Sequence, residues 1–313
     1  MSVHRFAVFT AVATVALITA GGLVTSTGSG LAVPDWPLSY GMLFPPMVGG
    51  ILYEHGHRLV AAAVAILTVA LAVWLQRSEP RRWVRRLGLA AVGAIAAQAL
   101  LGGITVLFLL PVPVSVAHAC LAQAVLGLTV TVAVVTSPGW TRAGSPPATS
   151  KRSPVRRLAV ASTAAIYIQL ILGALVRHTG SGLAIPDFPL ALGRLIPPLA
   201  SPGIVIHYVH RLGAVAVSIL VLATALRIVR DCRSQRALLI PGLILIPLLA
   251  TQILLGAFTV WTGLHVVPAT AHVATGAVLL ATSLVVALLS HRLFELAPHE
   301  PTVAPLGVRA VTS

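Results

Sequence analysis

The stretch Gly28-Ser29-Gly30-Leu31-Ala32-Val33-Pro34-Asp35-Trp36-Pro37-Leu38 returns as Gly180-Ser181-Gly182-Leu183-Ala184-Ile185-Pro186-Asp187-Phe188-Pro189-Leu190, at an offset of 152. The repetition extends outward from this segment. His57-Arg58-Leu59 matches His210-Arg211-Leu212 at an offset of 153, and His118 matches His272 at 154. Gln98-Ala99-Leu100-Leu101-Gly102 matches Gln252-Ile253-Leu254-Leu255-Gly256, also at 154. A drift of two residues over four landmarks indicates an internal duplication.

What is duplicated is a membrane unit. The chain is 57% hydrophobic and 9% charged, too apolar for a water-soluble domain. Eight apolar runs cover 6–26, 52–75, 87–109, 114–136, 157–176, 204–226, 237–260 and 267–290. Each is near the roughly 20 residues that a helix needs to cross the hydrocarbon layer. Lipid offers no partner to open backbone groups, so helices are expected throughout. The first run lacks the small-residue cleavage site of a secretory signal and reads as a retained span. The expected fold is an all-α integral membrane protein of eight transmembrane helices, as two tandem four-helix bundles. Four spans per half make an even number, so both halves enter the membrane alike, and a pseudo-twofold along the membrane normal should relate them. The expected division is an N-terminal half over 1–136, a linker over 137–157, a C-terminal half over 158–290 and a polar, poorly ordered tail over 291–313.

The net charge of +14 could suggest nucleic acid, but its placement argues otherwise. Seventeen of the 21 basic residues fall on one side of the expected topology, and only Arg58, Arg177, Arg194 and Arg211 fall on the other. That is the positive-inside bias, with anionic lipid as the basic runs' partner. It predicts a multi-pass protein of the cell membrane with both termini cytoplasmic, its long outer loops at 27–51 and 177–203, and no nucleic-acid partner. Cys120 falls within the fourth run and Cys232 in a cytoplasmic loop, so no disulfide framework is expected.

The matched histidines carry the chemistry. His57, His118, His210 and His272 all lie near the outer ends of helices that run inward, and so at one level. Neutral imidazole is a good iron ligand, and an unpaired one in lipid is costly. Two facing imidazoles in a four-helix bundle can clamp one haem edge-on. Interfacial histidines that only hydrogen-bond between helices are the plain alternative, weakened by the duplication. A closed zinc site is less favoured, because such sites take four nitrogen or sulfur ligands and each half offers two matched histidines. His55 aligns with Tyr208 rather than with a histidine. Glu54 lies about one turn outward of His57 on the same face, and its counterpart is His207. Arg58 and Arg211 follow the ligand candidates, where a guanidinium could fork onto haem propionates or reach lipid headgroups. Asp35 and Asp187 fit turn-setting roles. Gln-x-x-Leu-Gly occurs at Gln98, Gln123, Gln169 and Gln252 and reads as close helix packing.

Taken together, Glu54-x-x-His57-Arg58, His118, His210-Arg211, His272 and the Pro-Asp-Trp-Pro-Leu loop resemble haem A synthase, the CtaA-type membrane enzyme, over roughly residues 10–290. The resemblance implies oxidation of the ring methyl of haem O to a formyl group, giving haem A for assembly of terminal oxidases. It implies a b-type haem held by His210 and His272 as cofactor. It also implies haem O as substrate between His57 and His118, with Glu54 beside it as a catalytic residue. Implied partners are haem O, the surrounding lipid, haem O synthase and an electron donor. A homo-oligomer is compatible with the sequence, and the donor and the oxygen source stay open. Many relatives carry cysteine pairs in the outer loops. The matching positions here are Val33 and Ser39, then Ile185 and Ala191, so the chain resembles the cysteine-free subclass. Two other readings stand beside this one: a dihaem b-type electron-transfer protein linked to quinol, and a haem-handling transporter.

Overall fold

The computed structural model describes residues 1–141 and 154–294. It contains eight helices long and apolar enough to span a membrane. The first four are α1 (Val3–Ser26), α2 (Gly49–Ser78), α3 (Arg82–Leu107) and α4 (Val112–Val135). After the short turn α5 (Pro138–Thr141) come α6 (Pro154–His178), α7 (Pro202–Asp231), α8 (Arg236–Trp261) and α9 (Val266–Phe294). Most of the expected linker and of the expected tail lies outside the described residues.

Several helices run past their apolar stretches. α7 continues to Asp231 because its polar end is self-satisfying: Arg227 Nε meets Asp231 Oδ2 at 2.7 Å, one turn apart. α8 carries Pro241 and Pro247 in its interior and remains one helix. Buried hydroxyls inside the spans bond to carbonyls one turn back, as Thr14 does to Thr10 (2.8 Å) and Thr68 to Val64 (2.7 Å), so no polar group is presented to lipid there.

In each half the four helices close into a ring, α1–α2–α3–α4 and α6–α7–α8–α9. The halves meet through α1 on α9, α4 on α6, and α4 on α9. A twofold that exchanges α1 with α6 and α4 with α9 carries this set of contacts onto itself. The shared seam is filled by Ala11, Ile18, Leu126, Val130 and Ala277. Small residues let the backbones approach: Gly22 lies against Val273 and Thr270, and Gly127 against Leu284. Within the C-terminal half, hydroxyl pairs cross between helices, Ser162 to Thr224 and Thr163 to Ser283, each at 2.8 Å. Such bonds contribute about 0.6 kcal/mol apiece in membranes.

The two long loops, between α1 and α2 and between α6 and α7, fold alike. Each makes an isolated antiparallel bridge, Ser39 with Met42 and Ala191 with Arg194. Each is nucleated by an aspartate: Asp35 accepts the Tyr40 and Gly41 N–H groups (2.7 and 2.8 Å), and Asp187 accepts those of Leu192 and Gly193 (2.7 Å each). Gly41 and Gly193 take φ of 70° and 73°, a left-handed turn suited to glycine. The turn-setting reading of the aspartates holds.

Candidate haem sites

The structure brings the four matched histidines together in two pairs. His57 of α2 and His118 of α4 lie within electrostatic range of each other, as do His210 of α7 and His272 of α9. Each imidazole rests against a glycine on the neighbouring helix. A Cβ at Gly21 would stand 3.1 Å from His57 Cε1, one at Gly102 3.1 Å from His118 Cε1, one at Gly173 3.2 Å from His210 Cε1, and one at Gly256 3.1 Å from His272 Cε1. These glycines recur with the repeat, at an offset of 152 for Gly21 and Gly173 (one less than that of the histidines they face) and of 154 for Gly102 and Gly256. At three of its four occurrences the glycine of Gln-x-x-Leu-Gly packs on a neighbouring helix as expected, and what it packs against is one of the matched histidines. The fourth, ending at Gly127, does pack at the seam between halves.

The glutamines of the same motif reach the same histidines. Gln98 donates to the His118 carbonyl (2.9 Å) and Gln169 to the His210 carbonyl (2.7 Å). His272 Nδ1 stands 3.1 Å from the Gln252 carbonyl, which can only accept, so Nδ1 carries the proton. Nε2 then carries the lone pair, which accepts from Gln252 Nε2 at 3.3 Å, and that amide would have to turn away for Nε2 to ligate a metal. At His210, Gln169 Nε2 lies 3.0 Å from Nδ1 and donates to it. A ligating Nε2 there calls for the buried, unpartnered Gln169 Oε1 to turn to the ring. His57 Nδ1 and His118 Nδ1 are buried and make no hydrogen bond of good geometry, although the Leu17 and Gln98 backbones lie close to the two rings. Paired imidazoles, each set against a glycine of the neighbouring helix, suit a haem held edge-on once Gln169 and Gln252 release the ring nitrogens they meet. Among the described residues, no three His, Cys, Asp or Glu side chains gather as a zinc site would require.

Arg58 and Arg211 are directed at the outer loops. Arg58 Nη1 donates to the carbonyls of Asp35 (2.8 Å) and Leu38 (2.7 Å), and Nη2 to that of Val33 (3.3 Å). Arg211 repeats the pattern, with Nη1 on the Leu190 carbonyl (2.8 Å) and Nη2 on that of Ile185 (2.9 Å). Bonds from a charged donor are worth about 1.5–3 kcal/mol each, enough to hold a loop closed over its half. Val33 and Ile185, each fully buried, plug the loops beneath the guanidinium groups. These contacts hold the loops without a disulfide; Cys120 and Cys232 are both free.

The rims differ. Glu54, 4% exposed, accepts the Val33 N–H (2.8 Å) and pairs with Arg58 Nη2 (2.7 Å). In the second half His207 stands there, and its Nε2 accepts from Arg211 Nε (3.2 Å). Among the described acidic residues, Glu54 alone lies in the first half of a spanning helix. His55, given no role by the repeat, bonds through Nδ1 to the buried Ser39 hydroxyl (2.8 Å). Trp36 packs on Gly103, next to the glycine behind His118. Phe188 packs edge-on to Trp261, whose Nε1 donates to the Phe188 carbonyl (3.3 Å). His178 reaches from α6 to within electrostatic range of His118, a neighbour the repeat does not reveal.

A family profile described as COX15-CtaA, cytochrome oxidase assembly protein, matches residues 51–130 and 126–284. A protein named heme A synthase from Halalkalibacterium halodurans is 29% identical over 289 residues, covering 90% of this chain and 94% of its own. Proteins of the same name from Lysinibacillus sphaericus and Symbiobacterium thermophilum are 32% identical over 278 residues and 33% over 211. These cover 85% and 64% of this chain, and 88% and 67% of their own lengths. With its eight spans, its paired histidines and a profile match across most of its length, the chain belongs to the COX15-CtaA family of cytochrome oxidase assembly proteins.

Proposed function

We propose that the protein is a haem A synthase, an oxidoreductase that converts the ring methyl of haem O to a formyl group. The observation that carries this reading is the doubled histidine pair, each imidazole set against a glycine, with an acid at the rim of one pair only. His210 and His272 would hold a resident b haem, which would supply one-electron redox chemistry. His57 and His118 hold the substrate haem. Glu54 is the catalytic acid–base candidate: it is buried, about one turn from His57, and in contact with Arg58. Arg58 and Arg211 close the outer loops over the two sites and so exclude water from them. Both termini lie on the cytoplasmic side, in keeping with the basic clusters at the inner helix ends. Partners are haem O, the haem O synthase that would deliver it, an electron donor, and lipid.

The test is to express the protein in a haem A-deficient host that makes haem O, purify it, and resolve its extracted pigments by chromatography. Haems B, O and A are expected from the parent. Haems B and O without haem A are expected from His57→Ala, His118→Ala and Glu54→Ala. A parent that yields two firmly held B haems and neither O nor A overturns the reading in favour of an electron-transfer protein.

A further inference from the structure

The outer end of α6 breaks the repeat. Arg177 lies in its last turn, four residues beyond Gly173, and so shares the helix face set against His210. Its Nη2 crosses to the other half and donates to the Gly22 carbonyl (2.7 Å) and to Ser26 Oγ (2.6 Å) of α1. Thr270, two residues before His272, donates to the same Ser26 hydroxyl (3.0 Å). Gly22 in turn follows Gly21, which backs His57. Arg177 is also near enough to His272 to interact with it electrostatically. One cation therefore stands where the two pockets adjoin. At the repeat offsets its counterpart is Thr25, that of Ser26 is His178, and that of Thr270 is Val116, so the first half has no equivalent.

The ion pairs among the described residues join Arg58 to Glu54, Arg81 to Glu79, and Arg227 and Arg230 to Asp231; none includes Arg177. The carboxyl ends of α1 and α6 both point here, and their dipoles make the site tolerable to a cation without neutralising it. An ionised side chain without a counter-charge inside a membrane protein is costly, and such residues serve function by default.

We propose that Arg177 is a positioning residue that raises the reduction potential of the haem held by His210 and His272, through an unpaired positive charge fixed between the two pockets. This rests on the reading of that histidine pair as axial ligands. Ferric to ferrous iron is a one-electron step that lowers the local charge by one, so a fixed cation disfavours the ferric form. The interaction is screened far less here than in water.

The test is a dithionite–ferricyanide titration of the purified holoprotein, followed by its optical spectrum, for the parent and for Arg177→Gln, Arg177→Lys and Ser26→Asp. The midpoint should fall in Arg177→Gln. It should also fall in Ser26→Asp, which leaves Arg177 in place but sets a carboxylate on it; this variant carries the test if the glutamine protein does not assemble. It should stay near the parent in Arg177→Lys, which keeps the charge. Parent midpoints in the glutamine and aspartate variants overturn the inference. So does a lysine variant shifted as far as the glutamine one, because Arg177 would then act by packing alone. A parent with no low-spin, redox-active haem is a different failure: it overturns the ligand assignment and removes this inference with it.

Discussion

The two outer loops are nearly the same object, and the two sites beneath them are not. Both loops carry an aspartate-nucleated turn, and an arginine from the histidine-bearing helix grips each at equivalent carbonyls, Val33 and Leu38 or Ile185 and Leu190. Beneath the first loop the guanidinium is paired with Glu54; beneath the second it meets His207. Beside the second pocket stands Arg177, with no counterpart at Thr25. The duplication thus preserves a facing pair of histidines, each backed by a glycine, and varies the charges around it. An anion at one rim and a cation beside the other make two similar pockets electrostatically unlike, which is what different tasks for two haems would require.

The largest effect expected from breaking this comparison is on the histidines. His210→Ala and His272→Ala should each abolish the low-spin b spectrum, because iron left with one imidazole changes its ligation. His57→Ala and His118→Ala should keep most of that spectrum, since they lie on a separate ring of helices, and should abolish formation of haem A. Optical spectra of the four purified variants decide it. The same spectral loss from all four would show that the pockets are not independent.

Removing the loop arginines should come next and should be unequal. Arg58→Ala leaves Glu54 buried without its partner, at a cost of about 3–5 kcal/mol. Arg211→Ala leaves loop carbonyls and a neutral-capable imidazole unpaired, at a cost of about 1–3 kcal/mol. Thermal unfolding in detergent should show the first variant clearly less stable, and adding Glu54→Gln to Arg58→Ala should recover part of the loss. Equal destabilisation would mean that the ion pair adds nothing beyond the shared clamp.

Much of this was legible in the residues, for reasons that also explain the gaps. Hydropathy placed all eight spans, because lipid imposes length and composition directly. The repeat picked His57 over His55, and His118, His210 and His272 over the unmatched histidines. It did not show where Arg58 and Arg211 point, since a loop folding back over its own helix leaves no periodic trace. The spacing of Gly102, Gly173 and Gly256 indicated close helix packing but not its partner, because a small residue opposite a helix backbone and one opposite an imidazole have the same spacing. Arg177 and His178 went unassigned because they cross between halves, and a search for matched positions discards what has no match.

A smaller effect should follow from refilling the glycines. Gly102→Ala sets a methyl 3.1 Å from the His118 ring, and Gly256→Ala does the same to His272. Either ring must give by a few tenths of an ångström. A displacement of that size costs roughly two- to tenfold in rate for a group that must be aligned, less than the hundredfold of a full ångström. Turnover to haem A should therefore fall in Gly102→Ala with the b spectrum unchanged. The b spectrum itself should broaden or shift in Gly256→Ala. A shifted b spectrum in the Gly102 variant would contradict the assignment of His118 to the other pocket.

The smallest effect should be the one in which the halves agree. The Gly41 N–H, then that of Tyr40, holds the Asp35 carboxyl below its ordinary value of 3.8, against the pull of desolvation. The Gly193 and Leu192 N–H groups do the same for Asp187. In both cases the folded loop binds the anion, so the folded pKa lies below the unfolded one. The contribution to loop order is then complete above the unfolded value and is lost as pH falls through the lowered one. Both carboxylates face solvent, so the loss should be slight. Amide exchange at Tyr40, Gly41, Leu192 and Gly193, corrected for intrinsic rate, should be flat from pH 8 to 5 in both loops. It should rise together in both only below about pH 4. Asp35→Asn and Asp187→Asn should each remove the acid step from its own loop alone. If the first loop opened at a higher pH than the second, its order would depend on a group other than Asp35, and the buried Glu54 on the Val33 amide would be the residue to test.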